Sequence, residues 1–331
     1  MPLIHPAYPG APAYQYNGHL QTIVPSLTRR VEGVVYERER LTLADDDFVD
    51  LDWLRRANDK LLILTHGLEG DSHRQYIMGT AKLFAQASYD VLAWNCRSCS
   101  GTMNKAFRLY NHGEIGDLGE VIQQALRVHP YREIVLMGYS MGGNIILKYL
   151  GVHGPALHPA VKRGIAVSSP TDLGASARLL DRPGNRFYRN RFMKKLARKV
   201  AQKAIQFPGR LDMTNLQRVR QWRDFDTFFS APVNGYRDAD DFYEQASAVR
   251  FMPDITVPTL LLNAQNDPLL SPECSPVELA EKHSLIFLET PTSGGHVGFM
   301  VSRDPYTYAE RRALAFAQGS LDYYAIPKTS F

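Results

Sequence analysis

The chain has 331 residues, of which 44% are hydrophobic and 22% charged, as in an ordinary globular protein. Its formal net charge of +4 is too small to indicate nucleic-acid binding, and its three cysteines do not make a disulfide framework. The N-terminus lacks the basic and apolar regions of a secretory signal, and no run of about 18 apolar residues occurs. These features predict a cytoplasmic protein without an integral membrane segment.

The first elements in chain order are an arm and a hairpin. Residues 1–30 are rich in Pro, Tyr and Gly and predict an irregular arm that lies over the body. Two stretches of alternating polarity follow at 34–43 and 48–54, separated by Ala44-Asp45-Asp46-Asp47. This pattern predicts an antiparallel β-hairpin.

Short, continuous apolar runs then alternate with helix-like stretches. The runs are KLLILTHG (60–67), YDVLAWN (89–95), EIVLMGYS (133–140), GIAVSS (164–169), TVPTLLLNAQND (256–267) and SLIFLET (284–290). The helix-like stretches between them include 78–87, 116–129 and 275–283. Such strands are covered on both faces of a parallel sheet. Together with the hairpin they predict an α/β fold, with a mostly parallel eight-stranded sheet and helices on both faces.

Residues 171–250, here called the helical insertion, carry no strand signal. Met193, Leu196, Val200 and Ala204 fall on one face of a predicted helix. We therefore expect a single domain, 1–331, with a helical lid at 171–250 over the carboxyl ends of the strands.

Basic residues crowd part of the helical insertion. They are Arg182, Arg186, Arg189, Arg191, Lys194, Lys195, Arg198, Lys199 and Lys203. One hypothesis is that these residues form a solvated face of the lid. The other is peripheral contact of the basic lid with an anionic membrane surface or an acidic acyl carrier.

A G-x-S-x-G motif centres on Ser140. It follows the predicted strand EIVLM and precedes the helix-like GNIILKYL, which is the context of a nucleophile elbow. In such a turn the serine hydroxyl is exposed. A Cβ at Gly138 or Gly142 would collide with the neighbouring strand or helix. Ser140 is the predicted nucleophile.

A serine hydroxyl needs a neighbouring base, and His296 is the predicted one. It lies in the glycine-rich stretch SGGHVGF, just after the last predicted strand. Asp267, at the end of the strand TLLLNAQND, is the predicted acid that orients the imidazole. Asp172 is the competing acid, but it can equally well cap the first helix of the insertion. The order Ser140, Asp267, His296 is that of the α/β-hydrolase fold.

An oxyanion hole needs two donors, and the backbone amides of Met141 and Leu68 are the predicted ones. Leu68 follows Gly67 in the loop after the 60–65 strand, where His66 is predicted to be structural. Cys96 and Cys99 have the spacing of a redox pair, without the thioredoxin-like context or further zinc ligands. The sequence therefore predicts no metal and no cofactor.

Several segments together resemble the YheT-like branch of α/β hydrolases. They are NGHLQT (17–22), HGLEG (66–70), NCRSCSG (95–101), GYSMGGN (138–144), NAQNDP (263–268), GGHVGF (294–299) and residues 219–243. The resemblance covers nearly the whole chain and implies the same triad at Ser140, Asp267 and His296. Ser98 departs from it, because the family pattern has glycine after arginine there.

The resemblance implies a hydrolase or acyltransferase acting on small-molecule or lipid-like esters of short to medium acyl chains. Our first hypothesis is a carboxylic ester hydrolase working through an acyl-enzyme. An acyltransferase or thioesterase using the same acyl-enzyme is an alternative, because the choice depends on how dry the lid keeps the site. The alternative of another class is a non-catalytic, hydrolase-like binding protein. Oligomeric state is left open.

Overall fold

The computed structural model of the chain describes residues 3–321, and in this part of the chain the strands form one nine-stranded sheet. The strands are β1 (Leu3–Ile4), β2 (Glu37–Thr42), β3 (Phe48–Leu54), β4 (Lys60–Thr65), β5 (Asp90–Asn95), β6 (Glu133–Tyr139), β7 (Val161–Val167), β8 (Thr259–Leu262) and β9 (Ile286–Glu289). Their order across the sheet is β1-β9-β8-β7-β6-β4-β5-β3-β2.

The sheet is mostly parallel, as predicted. Only β2 with β3 and β3 with β5 pair in the antiparallel sense, so the predicted hairpin forms one edge. The ninth strand, β1, was not expected. It has two residues that pair in parallel with β9, and two residues are too short to show a strand pattern in the sequence.

In the part of the chain that is described, nine α-helices lie before and within the helical insertion, and one pair follows it. Those outside the insertion are α1 (Gly18–Thr28), α2 (Gln75–Gln86), α3 (Gly116–Val128), α4 (Met141–His153), α10 (Val277–Lys282) and α11 (Tyr308–Ala317). Those inside it are α5 (Leu173–Leu180), α6 (Arg186–Gln206), α7 (Trp222–Phe225), α8 (Ala231–Val233) and α9 (Ala239–Ala246). The insertion leaves the sheet after β7 and returns to it at β8.

Alternate residues of the central strands face two separate cores. In β4, Leu61 and Ile63 pack in the core with α3 and α4, whereas Leu62 and Leu64 pack in the core with α2 and α11. All four side chains are fully buried. A strand buried on both faces has no polar side to show, which explains the continuous apolar runs of the sequence.

The arm is more regular than predicted, because it contains α1. The side chain of Asn17 accepts a hydrogen bond from Leu20 N–H at 2.9 Å and caps the helix. Pro25 lies inside α1, where proline usually breaks a helix, and it masked the helical pattern. Within residues 3–321 no helix combines the length and the apolar character needed to span a bilayer.

Candidate active site

Ser140 lies at a sharp turn between β6 and α4. Its φ is 54° and its ψ is −121°, a conformation that is strained for any residue with a side chain. Its N–H donates to Val167 O at 2.8 Å, which ties the turn to β7. An added Cβ on Gly138 would stand 2.2 Å from the backbone of Gly142, and one on Gly142 would stand 2.3 Å from Thr65 O. Glycine is therefore required at both positions.

The structure brings His296 and Asp267 to this turn. His296 Nε2 lies 2.9 Å from Ser140 Oγ, and His296 Nδ1 lies 2.8 Å from Asp267 Oδ2. The side chain of Asp267 is fully buried and that of His296 is 11% exposed. Asp172 takes the other role considered for it, because its side chain accepts from Ala175 N–H at 2.8 Å and caps α5.

The loop that carries His296 is held by α1, a role that the sequence did not reveal. His296 N–H donates to Thr22 Oγ1 at 2.9 Å, and Gly294 N–H donates to Gln21 Oε1 at 2.8 Å. On the other side of the loop, Val297 N–H donates to Ser168 Oγ at 2.9 Å. These bonds fix the backbone on both sides of the imidazole. The Asn17 cap and the segment NGHLQT were the only signals of this role in the sequence.

The predicted oxyanion donors, the amides of Leu68 and Met141, have no acceptor among residues 3–321. Met141 is the first residue of α4, where the N–H has no partner within the helix. The loop of Leu68 lies against the nucleophile, because a Cβ on Gly67 would stand 3.1 Å from Ser140 Cβ. Both amides are therefore free to receive a ligand oxygen.

His66 stabilises the Gly67–Leu68 loop through hydrogen bonds. It is fully buried, its Nδ1 lies 2.8 Å from Gly67 O, and its Nε2 accepts from Cys96 N–H at 3.1 Å. Burial lowers the pKa of His66 to about 4, so the imidazole is neutral at neutral pH. Cys96 and Cys99 are free thiols, and burial raises the pKa of Cys99 to about 11.

Ser98, the departure from the family pattern, keeps the backbone that glycine would take. Its φ is 62°, in the left-handed region that glycine favours. Its hydroxyl donates to Asn104 Oδ1 at 2.6 Å and accepts from Asn104 N–H at 3.1 Å. These local hydrogen bonds stabilise the left-handed conformation of Ser98.

An apolar cavity opens onto Ser140 and His296. Its walls come mainly from the helical insertion and include Leu173, Leu180, Phe192, Trp222 and Phe242, with Leu269 from the body. One carboxyl group also lines it. Asp226 accepts from Tyr243 Oη at 2.7 Å, and burial raises the pKa of Asp226 to about 6.

The basic residues of the insertion do not form one face. Lys203 is buried and donates to Asn104 O and Ala106 O at 2.7 and 2.5 Å. Lys199 pairs with Glu69 at 2.8 Å, inside the molecule. Five of the nine are exposed, namely Arg182, Arg186, Arg191, Lys194 and Arg198. Membrane contact through them stays a prediction.

Comparison with known proteins agrees with this architecture. Residues 60–302 match the family model of the alpha/beta hydrolase fold. The chain is 32% identical over 290 residues to the protein named "Putative esterase YheT" of Escherichia coli (strain K12), covering 86% of this chain and 84% of that protein.

Two further similarities extend over most of the chain. Phospholipase ABHD3 of Bos taurus is 27% identical over 328 residues, covering 96% of this chain and 79% of that protein. The solved structure of a Pyrococcus furiosus esterase aligns with a TM-score of 0.57 at 16% identity, covering 89% of this chain and 99% of that one. The predicted fold and the predicted resemblance are confirmed: the chain belongs to the α/β-hydrolase fold family, as a YheT-like member.

Proposed function

We propose that this carboxylic ester hydrolase works through a covalent acyl-enzyme on Ser140, with His296 as base and Asp267 as orienting acid, on esters of short to medium acyl chains. The contact of 2.9 Å between His296 Nε2 and Ser140 Oγ carries the proposal. That distance lies within hydrogen-bond reach, the first requirement for a general base.

The two hydrogen bonds of the His296 imidazole define the acylation step. Asp267 accepts the Nδ1 proton of His296, so Nε2 keeps its lone pair and accepts the proton of the Ser140 hydroxyl. Ser140 Oγ then attacks the ester carbonyl, and the carbonyl oxygen gains negative charge. The free amides of Leu68 and Met141 would donate to this oxygen. His296 next gives its proton to the leaving alcohol, and the acyl group stays on Ser140.

Deacylation repeats the same steps with water. His296 takes a proton from water, the hydroxide attacks the acyl carbonyl, and Ser140 leaves with the proton returned by His296. The carboxylic acid is released. The burial of Asp267 supports this cycle, because a fully buried carboxylate beside the imidazole stabilises the imidazolium that forms twice in each turnover.

The apolar cavity supports acyl chains of short to medium length. Because its walls are mainly Leu, Phe and Trp side chains, burial of the acyl methylenes would stabilise the complex. The helical insertion supplies most of these walls, and we therefore propose that it acts as a lid.

Ser140→Ala should abolish turnover of p-nitrophenyl butyrate, with a loss of about 10⁴-fold or more, because the nucleophile is removed. The variant should also fail to react with a fluorophosphonate probe. Ser302→Ala, at an exposed serine away from the site, is the matched control and should keep both properties. Undiminished turnover in Ser140→Ala would contradict the proposal. A new ester formed in the presence of ethanol would assign acyl transfer to the same acyl-enzyme.

A further inference from the structure

A second cavity also opens onto Ser140 and His296. Its wall differs in charge from that of the apolar cavity. Arg74, Arg191 and Lys195 all line it, and we call it the cationic cavity. α1 and α6 form its sides, and the Gly67–Leu68 loop forms its base next to the nucleophile.

Within the described residues 3–321, the three cations have no carboxylate partner. Among residues 3–321, none of them forms an ion pair. Arg74 Nη2 and Lys195 Nζ donate instead to one carbonyl oxygen, that of Glu69, at 2.8 and 3.3 Å, so the two side chains converge. The carboxylate of Glu69 is the one acid in the described wall. It already pairs with Lys199 Nζ at 2.8 Å and accepts from Tyr110 Oη at 2.6 Å.

Convergence of unpaired like charges is electrostatically unfavourable. Lys195 is half-buried, and burial, followed by the charge of Arg74, lowers its pKa. The Glu69 carboxylate opposes this lowering of the Lys195 pKa, whereas Arg191 and Lys199 add to it. An anion between Arg74, Arg191 and Lys195 would remove this repulsion and would accept charge-assisted hydrogen bonds from all three.

The two cavities meet at the reacting groups, so one ester can occupy both. An acyl chain gains by entering the apolar cavity, whereas a charged group there would lose its hydration. We propose that the leaving alcohol of the substrate carries an anionic group, such as a phosphate, that binds in the cationic cavity between Arg74, Arg191 and Lys195. This inference rests on the proposed function, because it assigns the two halves of an ester cleaved at Ser140.

A matched pair of esters tests the inference. 1-Butanoylglycerol 3-phosphate and 1-butanoylglycerol share the acyl chain and differ by the phosphate. We expect kcat/KM to be about tenfold or more higher for the phosphate ester, mainly through KM, because charge-assisted hydrogen bonds form with the substrate. The preference should shrink at high salt, because the wall is partly open to solvent.

Charge-removing variants test which side chains cause the preference for the phosphate ester. Lys195→Gln and Arg191→Gln should each lower the ratio of the two kcat/KM values severalfold, toward one. Lys194→Gln is the matched control: Lys194 is the exposed neighbour of Lys195 on the same helix and does not line the cavity. It should keep the wild-type ratio. Arg191 is also exposed, so its variant tests the charge where a folding defect is not expected.

Inorganic phosphate separates a substrate group from a free anion. It should inhibit hydrolysis of the phosphate ester competitively, and less so in Lys195→Gln. Equal kcat/KM for the two esters in the wild type would overturn the inference, and so would non-competitive action of phosphate, which indicates a separate anion site. Hydrolysis of both esters by Ser140→Ala would instead overturn the proposed function.

Discussion

The loops at the carboxyl edge of the sheet and the helical insertion build the same site by different means. The edge loops hold the reacting groups through hydrogen bonds, as when His296 N–H and Val297 N–H each donate to a hydroxyl. The insertion contributes mainly apolar walls, such as Leu180 and Trp222. Hydrogen bonds fix direction, whereas apolar contacts do not. Chemistry should therefore depend on the edge loops, and substrate choice on the insertion.

The two regions also bury titratable groups with opposite consequences. His66, in an edge loop, has its pKa lowered to about 4 by burial. Asp226, in the insertion, has its pKa raised to about 6 by burial. In both cases the low-dielectric surroundings disfavour the charged form. Burial therefore lowers the pKa of a base and raises that of an acid. A fall in pH should destabilise the surroundings of His66 and stabilise those of Asp226.

The largest effect is expected in the edge loops, from Asp267→Asn. The amide carries no charge to stabilise the imidazolium, and its NH2 can donate to Nδ1 and so favour the wrong tautomer. The kcat should therefore fall by about 10⁴-fold with the fold intact. Esterase kinetics and a circular dichroism spectrum measure the two properties. Asp172→Asn is the matched control, because asparagine also caps a helix. A small loss of kcat in Asp267→Asn, or an equal loss in Asp172→Asn, would contradict the claim that catalysis depends on the edge loops.

The second-largest effect is expected in the pH dependence of the free energy of unfolding. The unfolded chain binds a proton on His66 below pH 6.5 and the folded chain only below about pH 4, so this group reduces the free energy of unfolding as pH falls between those values. For Asp226 the folded pKa of about 6 exceeds the unfolded value of 3.8, so stability rises as pH falls through that window. Each contribution is about 3 kcal/mol at most.

Urea unfolding of His66→Gln and Asp226→Asn between about pH 7 and about pH 4 measures these contributions. His66→Gln should lose stability less steeply than the wild type as pH falls. Asp226→Asn should lose it more steeply, because the acid-induced gain of the carboxyl group is absent. The slopes are the readout, so a general destabilisation by either substitution does not obscure the result. The same slope in all three proteins would count against the opposed behaviour of the two regions.

The smallest effect is expected for the support of the histidine loop. Thr22→Val removes the acceptor of His296 N–H and should lower kcat about tenfold, the cost of one hydrogen bond that positions a base. Thr22→Ser should restore most of the activity, because the hydroxyl returns. Thr22 Oγ1 also donates to Gly18 O of its own helix at 2.6 Å. Thr28→Val is the control, because exposed Thr28 makes the same kind of bond, to Val24 O at 2.8 Å, away from the histidine loop. A loss in the control as large as in Thr22→Val would show that α1 acts only through its stability.

The elbow and the strands were predictable because their signals are local. The order strand, G-x-S-x-G, helix lies within one stretch of the chain, and buried strands show as continuous apolar runs. α11 was not predicted, although Thr307 and Glu310 form a capping box at its start. Its sequence hides the helix because Glu310, Arg311 and Arg312 are buried in ion pairs instead of lying on an exposed polar face.

The basic cluster shows the limit of reading charge along the chain. Lys194 and Lys195 are adjacent in sequence, yet one is exposed and the other lines the cationic cavity. A helix turns by about 100° per residue, so neighbouring charges face different surroundings. Only packing of α6 against the body decides which charges lie beside Ser140.

By itself, the sequence determined the fold class, the turn that presents Ser140, and Asp267 and His296 as the candidates for acid and base, because each depends on a short local pattern or on chain order. The tertiary structure decided which carboxyl group meets the imidazole, that α1 holds the histidine loop, and that two cavities of different charge meet at Ser140. These features depend on contacts between residues far apart in the chain, such as Thr22 and His296. Such contacts leave no periodic signal, because each is set by the packing of whole elements and not by neighbouring residues.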